Sequence, residues 1–328
     1  VSASETILVT GATGFFGGAL VKRLSHIGHK IVATGRNPGR LDELAQSGRV
    51  TVLSADLADP STVERLTTAG PFGTIIHCAA RSSAWGPRPA FDRDNVLGTQ
   101  NVIEIARRAS GARMLHVSTP SIYFRFADQF DTREDAALPS PVNAYAASKR
   151  RAEELVTGSG LPHTILRPRG LYGKGDTALL PRLIHAARTG PLPLLRGGQA
   201  VTDLTYIEDA VDAVLAVLNS PGATDGAIYN ISGGEALPLT HMIESAARHA
   251  NVTVRWRRVP LPLALGVAKA SEAAHRAFAP QREPRATVYG AGVLAFSKTL
   301  DISAISRDTG WRPVVPFEEG LVRTFGTT

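Results

Sequence analysis

The 328-residue sequence predicts an α/β fold, a Rossmann-type doubly wound parallel sheet with a smaller C-terminal substrate-binding domain. Three observations predict it. Short apolar runs alternate with amphipathic stretches, the spacing of a parallel sheet covered by helices on both faces. The first run, Ile7 to Val9, enters three glycines at Gly11, Gly14 and Gly17 and then an amphipathic segment from Ala19. Strand, tight turn and helix in that order turn backbone N–H groups and a helix N-terminus toward a pyrophosphate. Finally, Tyr145 and Lys149 stand four apart on a predicted helix, one face of it, after a strand that ends in Ser118-Thr119.

Taken in order, Lys30 to Thr34 reads as the second strand, closing in Gly35-Arg36-Asn37. The end of this strand meets the adenosine ribose in dinucleotide folds, and an acidic residue there would hold the 2′-hydroxyl of NAD. Gly35 takes that place and Arg36 follows, with Arg40 one helical turn on. A guanidinium suits a 2′-phosphate, so NADP(H) is expected to be preferred and NAD(H) to be the alternative. RVTVLSADL gives a third strand and the pair Asp56-Leu57, placed to line an adenine edge. After the helix STVERLTTAG, a fourth strand ends at Ala79-Ala80-Arg81, with small residues where the cofactor backbone would pass.

The segment Arg81 to Val96 is irregular, with Trp85 and Phe91 as candidates for a lid or for the cover of the sheet edge. Asn95 stands at the start of a long helix, to cap it or to brace Lys149 through water. ARMLHVSTPSIY is the fifth strand, and 125–142 is read as an irregular polar loop. Asn143 is the expected N-cap of the helix that carries Tyr145. A sixth strand follows in LPHTILRPRG, then a helix around Leu179 to Ala187, a strand passing into a helix in VTDLTYIEDAVDAVLAVL, and a short strand in AIYNISGG. Helices near Leu239 to His249 and Pro262 to Phe278, a strand near Asn251 to Arg257 and a final helix after Asp301 complete the reading. Residues 1–175, with 203–232 returning to them, form the expected cofactor domain; 176–202 and 233–328 form the substrate domain.

Composition narrows the class. With 43% apolar residues the chain can bury a large core. No apolar run reaches the about eighteen residues of a membrane span, and no signal peptide is legible, so the expectation is a soluble, cytoplasmic protein without a transmembrane segment. Cys78 is the single cysteine, set in an apolar run, which excludes an internal disulfide. The net charge of +7 is dispersed without interleaved aromatics, which argues against nucleic acid.

The chemistry follows from the Tyr/Lys pair. Hydride exchange at a carbonyl carbon needs a proton moved at the oxygen. A tyrosine hydroxyl can move it, provided a neighbouring lysine and an oxidised nicotinamide lower its ordinary pKa of about 10. Lys149 can also hydrogen-bond the nicotinamide ribose. Thr119 would hold the substrate oxygen, with Ser118 as the neighbour that could take its part, since adjacent strand residues face opposite ways.

The motifs TGATGFFG (Thr10 to Gly17), HCAA (His77 to Ala80), NVLGT (Asn95 to Thr99), STPSIY (Ser118 to Tyr123), YAASK (Tyr145 to Lys149) and RPRGLYGKGD (Arg167 to Asp176) come in the order of the extended short-chain dehydrogenase/reductases, which the chain resembles over nearly its whole length. YNISGG and the closing GWRPVVPFEEGL fit that family as well. The resemblance implies Thr119 as hydroxyl partner, Tyr145 as acid/base and Lys149 as ribose-binding lysine. It extends the expected cofactor contacts to Gly11, Thr13, Gly14, Phe15, Phe16 and Gly17; to Arg36, Arg40, Asp56, Leu57, Ala79, Ala80, Arg81 and Asn95; and to Ser118, Tyr145, Lys149, Pro168, Gly170 and Leu171. It also implies a homodimer through the helices around 95–109 and 143–158.

The branch is read from departures. Thr202 stands before Asp203 where nucleotide-sugar enzymes of the family carry an arginine, and Pro120-Ser121 replace the acidic residues expected of a dehydratase. AWGP (Ala84 to Pro87) and the late segment LPLALGVAKASEAAHRAF look closer to the β-hydroxysteroid dehydrogenase-like and β-keto acid ketoreductase branch. That implies a small-molecule substrate with an apolar body, interconverted between ketone and secondary alcohol, in a pocket of Ser83, Trp85, Pro120, Ser121, Tyr123, Arg169 and Tyr172. Arg81, Arg125 and Arg169 are candidates to meet an acidic group on it. The alternatives are a nucleotide-sugar epimerase working through transient oxidation and an NADP(H)-binding sensor without catalysis.

Overall fold

The computed structural model describes residues 5–46 and 48–326. Seven strands build the central sheet: β1 (Thr6–Thr10), β2 (Lys30–Gly35), β3 (Val50–Ser54), β4 (Thr74–His77), β5 (Arg113–Val117), β6 (His163–Pro168) and β7 (Ile228–Ile231), in the order β7-β6-β5-β4-β1-β2-β3. Every pairing in it is parallel. Ile7, Leu8 and Val9 are fully buried because both faces are covered: Ile7 and Val9 join one apolar core, Leu8 the opposite one. From β1 the chain runs outward to β2 and β3, and then crosses to β4 on the other side. A crevice therefore opens between the carboxyl ends of β1 and β4.

Six helices frame the two ends of this crevice and the cavities beside it: α1 (Phe15–His26), α2 (Gly98–Arg108), α3 (Ala144–Thr157), α4 (Leu180–Thr189), α5 (Leu261–Phe278) and α6 (Val288–Ala295). A second, four-stranded sheet joins Leu237–Pro238, Val201–Thr202, Lys298–Leu300 and Gln129–Thr132. It lies over the carboxyl end of β5 and β6, because the segments that leave those strands return through it. Among the described residues no helix is long and apolar enough to cross a membrane.

Several expectations are corrected. Helix α1 begins at Phe15, not Ala19, so Gly17 lies inside its first turns; a Cβ there would stand 2.3 Å from the Gly11 carbonyl oxygen. The third glycine is therefore a close-packing position between helix and turn. The irregular stretch before α2 contains a helix at Arg88–Phe91 and a π-helical turn at Asp92–Leu97 that run straight into α2. Asn95 consequently caps nothing. Its amide accepts from Arg81 N at 2.7 Å and donates to Ser148 Oγ at 2.8 Å, tying the segment after β4 to α3. The polar loop at 125–142 holds the strand Gln129–Thr132, which pairs with Lys298–Leu300 from far along the chain. Such a long-range pairing leaves no local signal.

Candidate active site

Two cavities meet the carboxyl edge of the sheet. The first is a groove of about 220 Å³ in the β1/β4 crevice, lined by Gly11, Thr13, Gly14, Gly35, Arg36, Asp56, Leu57, Cys78, Ala79 and Ala80, together with Thr34, Ala55 and Asp94. Gly11 has φ +68°, and a Cβ on it would stand 2.6 Å from Ala79 N; only glycine makes this turn and leaves the crevice open. Gly14 is the N-cap of α1 and brings no side chain to its first amides, so those N–H groups and the positive helix end stay available to an anion. A Cβ at Gly35 would come within 2.7 Å of the Thr13 side chain. Thr13 thus leaves no room at the end of β2 for the carboxylate that would clasp a free ribose.

Arginines surround that end. Arg36, largely exposed, approaches Asp94 at 3.4 Å; Asp94 also takes Arg81 at 3.1 Å and Arg93 at 2.8 Å. Arg40 donates to Thr13 O at 2.9 Å and closes over the glycine turn. Asp56, paired with Arg93, is held below the usual carboxylate range: burial, the largest single effect, works against this, and the Arg93 hydrogen bond, the Ala58 amide and the charges of Arg93 and Arg36 together outweigh it. Phe16 is not a groove residue; it is buried in the core, while Phe15 packs partly against the same core.

The second cavity, about 290 Å³, lies beyond β5 and β6. The hydroxyls of Thr119, Ser121 and Tyr289 stand at its wall. Thr119 Oγ1 and Ser121 Oγ are 3.1 Å apart, and Ser121 Oγ and Tyr289 Oη 3.0 Å. The Thr119 hydroxyl also acts on that of Tyr145, favouring its ionised form. Ser118 turns the other way, buried with its Oγ unpartnered, so of the two neighbours it is Thr119 that faces Tyr145. Tyr145 is positioned by α3, whose N-cap Asn143 accepts from Ala146 N at 2.8 Å, and by Phe91, whose ring centre lies 6.4 Å from its own.

Lys149, one turn further on, is 2% exposed. Its Nζ donates to Val117 O at 2.7 Å and stands 3.2 Å from His116 Nε2. Burial pulls Lys149 down to about 8, and burial with the neighbouring ammonium holds His116 neutral, so His116 Nε2 is the acceptor. Burial pushes Tyr145 up to about 12, with the Thr119 hydrogen bond acting the other way. The expectation coupled Lys149 with an oxidised nicotinamide; in the free protein burial of the phenol decides the shift. The ammonium is drawn to the end of β5, and desolvation of a phenolate dominates.

Pro120, Ser121, Tyr123 and Arg169 line this second cavity, as do Pro168 and Gly170, which were expected on the cofactor side. The hydroxyl of Tyr123 is committed to the fold: it donates to Asn230 Oδ1 at 3.1 Å and accepts from Arg167, itself held by Glu153 at 3.0 and 2.6 Å. Ser83, Trp85 and Tyr172 do not line it. Ser83 Oγ bonds to Trp85 O, and Trp85 Nε1 reaches Pro280 O. Tyr172 is a core residue between Tyr206 and Phe317, its hydroxyl on Phe317 O. Leu171 likewise packs against the core, in register with Thr205.

Of the three candidate arginines only Arg169 reaches the cavity, and its charge is answered by Asp203 at 2.8 Å, with Thr202 Oγ1 accepting at 2.6 Å. Arg81 is taken by Asp94, and Arg125 donates to Ala137 O. Lys298 lines the wall too, but its Nζ is saturated by Arg125 O, Ala127 O and Gln129 Oε1. Tyr289, Lys298, Asp94 and His116 were missed by sequence reasoning. The helix bearing Tyr289 did carry a signal in Thr287, whose side chain caps it by accepting from Gly290 N.

Residues 7–232 match the NAD dependent epimerase/dehydratase family. The chain belongs to that family. Along its length it is 34% identical to the Escherichia coli protein YbjS, over 97% of this chain and 96% of that one. It is 33% identical to a 2-alkyl-3-oxoalkanoate reductase of Stenotrophomonas maltophilia, over 97% of both chains. The fold matches the Bordetella bronchiseptica enzyme WbmH, solved in complex with NAD+, at a TM-score of 0.77 and 19% identity over 98% of this chain and 97% of that one. This extended short-chain dehydrogenase/reductase is therefore an NAD(P)-dependent oxidoreductase. The β1/β4 groove fits a dinucleotide: a glycine cradle that a Cβ would fill and uncapped amides at a helix start.

Proposed function

We propose that this enzyme reduces the ketone of an apolar 3-oxo substrate to a secondary alcohol, with NADPH as the preferred reductant. The lining of the second cavity carries the reading. Its hydroxyl end at Thr119, Ser121 and Tyr289 opens onto Leu179, Leu183, Leu204, Leu239, Met242 and Val293, and both cations at its wall are already answered by protein oxygens. A nucleotide diphosphate would find no free cation there, whereas a ketone on a hydrocarbon body finds hydroxyls for its oxygen and apolar walls for the rest. The name of the Stenotrophomonas relative supports the same substrate class.

When bound, the nicotinamide supplies hydride to the carbonyl carbon. The chain's own residues handle the oxygen. Thr119 holds it by hydrogen bonding, and Tyr145 gives it a proton as the C–O π bond opens and negative charge gathers there. A phenol held near 12 is protonated throughout the neutral range, which suits an acid in the reductive direction. Lys149, anchored on Val117 O, holds positive charge beside α3 and is the group for the nicotinamide ribose.

Arg36 and the Cβ-free end of β2 support NADPH. Both cofactors should be titrated into the protein, and the preferred complex should be given ketones and nucleotide sugars. NADPH is expected to be consumed with the ketones and unchanged with the sugars. Arg36→Ala is expected to weaken NADPH about 10- to 100-fold, the worth of a charge-assisted hydrogen bond, and to leave NADH nearly unaffected. Sugar-nucleotide interconversion without net consumption of cofactor would replace this reading with an epimerase.

A further inference from the structure

We infer that the substrate's apolar tail runs from the catalytic cavity into a second, larger chamber between α4, α5 and α6, with Tyr289 at the junction. The inference rests on the ketoreductase reading above and deepens it by placing the rest of the substrate. The chamber measures about 870 Å³, within the size range of small-molecule sites. It adjoins the catalytic cavity: Leu183, Tyr289, Val293 and Leu294 line both. Apart from the Tyr289 hydroxyl, the residues shared by the two are apolar, so a tail leaving Thr119 passes along hydrocarbon.

The composition of the far wall points the same way. Helix α5 buries only Ala268 outright, while Leu263 and Val267, one turn apart, remain 59% and 55% exposed. A helix that merely packed on the domain would turn these residues inward. Here they line the chamber with Ala264, so they face space rather than protein. Tyr289 is fixed at the junction by its hydroxyl on Ser121 Oγ at 3.0 Å and by the Phe124 ring, whose centre lies 5.0 Å from its own. The hydroxyl chain that reaches Thr119 thus ends on the residue that divides head from tail. Arg182, Arg257, Arg258, Glu283 and Arg285 line the same chamber, so the alkyl chain is placed along its Leu263, Ala264 and Val267 side.

The test compares 3-oxo acids of six and sixteen carbons as substrates, and hexanoate and hexadecanoate as ligands by calorimetry, in wild type, Ala264→Trp and Val267→Glu. Ala264→Trp fills the chamber; Val267→Glu charges it at an exposed position that folding tolerates. In the wild type kcat/KM should rise about fourfold per methylene that enters the chamber, and hexadecanoate should bind more tightly than hexanoate. Both variants should lose the long-chain advantage at least tenfold in turnover and in binding, with the six-carbon substrate unchanged. Retention of the wild-type long-to-short ratio in both variants overturns the inference. If no 3-oxo acid is reduced by any form, but the variants lose hexadecanoate binding, the chamber stands as a tail site and the ketoreductase reading falls.

Discussion

Tyr145→Phe is expected to lower kcat for ketone reduction by about 10²–10⁴-fold, the usual worth of a positioned general acid, while leaving cofactor affinity within a factor of two. The substitution removes one oxygen and nothing else. Thr119 keeps its bond to Ser121 Oγ, and the ring keeps its neighbour Phe91, so neither fold nor cavity changes. A proton then has to come from water or from the weaker Thr119 hydroxyl. Steady-state rates with single-turnover hydride transfer check this. Activity of the Tyr145→Phe variant within tenfold of wild type would remove Tyr145 from its proposed role and point to Tyr289, the other phenol on the same hydroxyl chain.

Lys149→Met carries the second large effect, read on activity and on stability at different pH. Activity should fall about 10²-fold, because the ammonium that positions the cofactor ribose is lost. The stability signature is independent of turnover. Burial holds Lys149 near 8 in the folded chain against 10.5 for an ordinary lysine. Between these values the unfolded chain binds a proton that the folded chain does not, so stability rises with pH in that window. Below it both states are charged and the full cost of burying the ammonium is present; above it both are neutral and the cost is gone. Wild type measured against Lys149→Met by urea unfolding should therefore gain about 3 kcal/mol between about pH 7 and pH 10.5. A difference that stays flat across that range would mean that Lys149 is solvated as well in the fold as outside it.

The glycine turn, the seven-stranded sheet and the Tyr/Lys helix were legible because each rests on local chemistry. Gly11 and Gly17 are forced by contacts with backbone, and Asn143 caps the helix it was assigned to. The facing of Thr119 against Ser118 followed from strand alternation and the family motif, and the geometry agrees. What the sequence did not carry is the substrate side. Tyr172 was expected in the pocket by resemblance, yet its strand pairs with Thr205-Tyr206 and carries it into the core. Tyr289 stands 144 residues after Tyr145 and meets the site only through Ser121. The upward shift of Tyr145 in the free protein was also beyond reach, since desolvation depends on everything packed around the hydroxyl.

The measurement that bears most directly on the proposed reaction is the fate of deuterium from 4,4-dideuterated NADPH incubated with the protein and a long-chain 3-oxo acid. One deuterium on the carbinol carbon of the 3-hydroxy product, with one equivalent of NADP+ formed, is the predicted result. Unchanged NADPH and no labelled alcohol, with a nucleotide sugar interconverted by the same preparation, would contradict it.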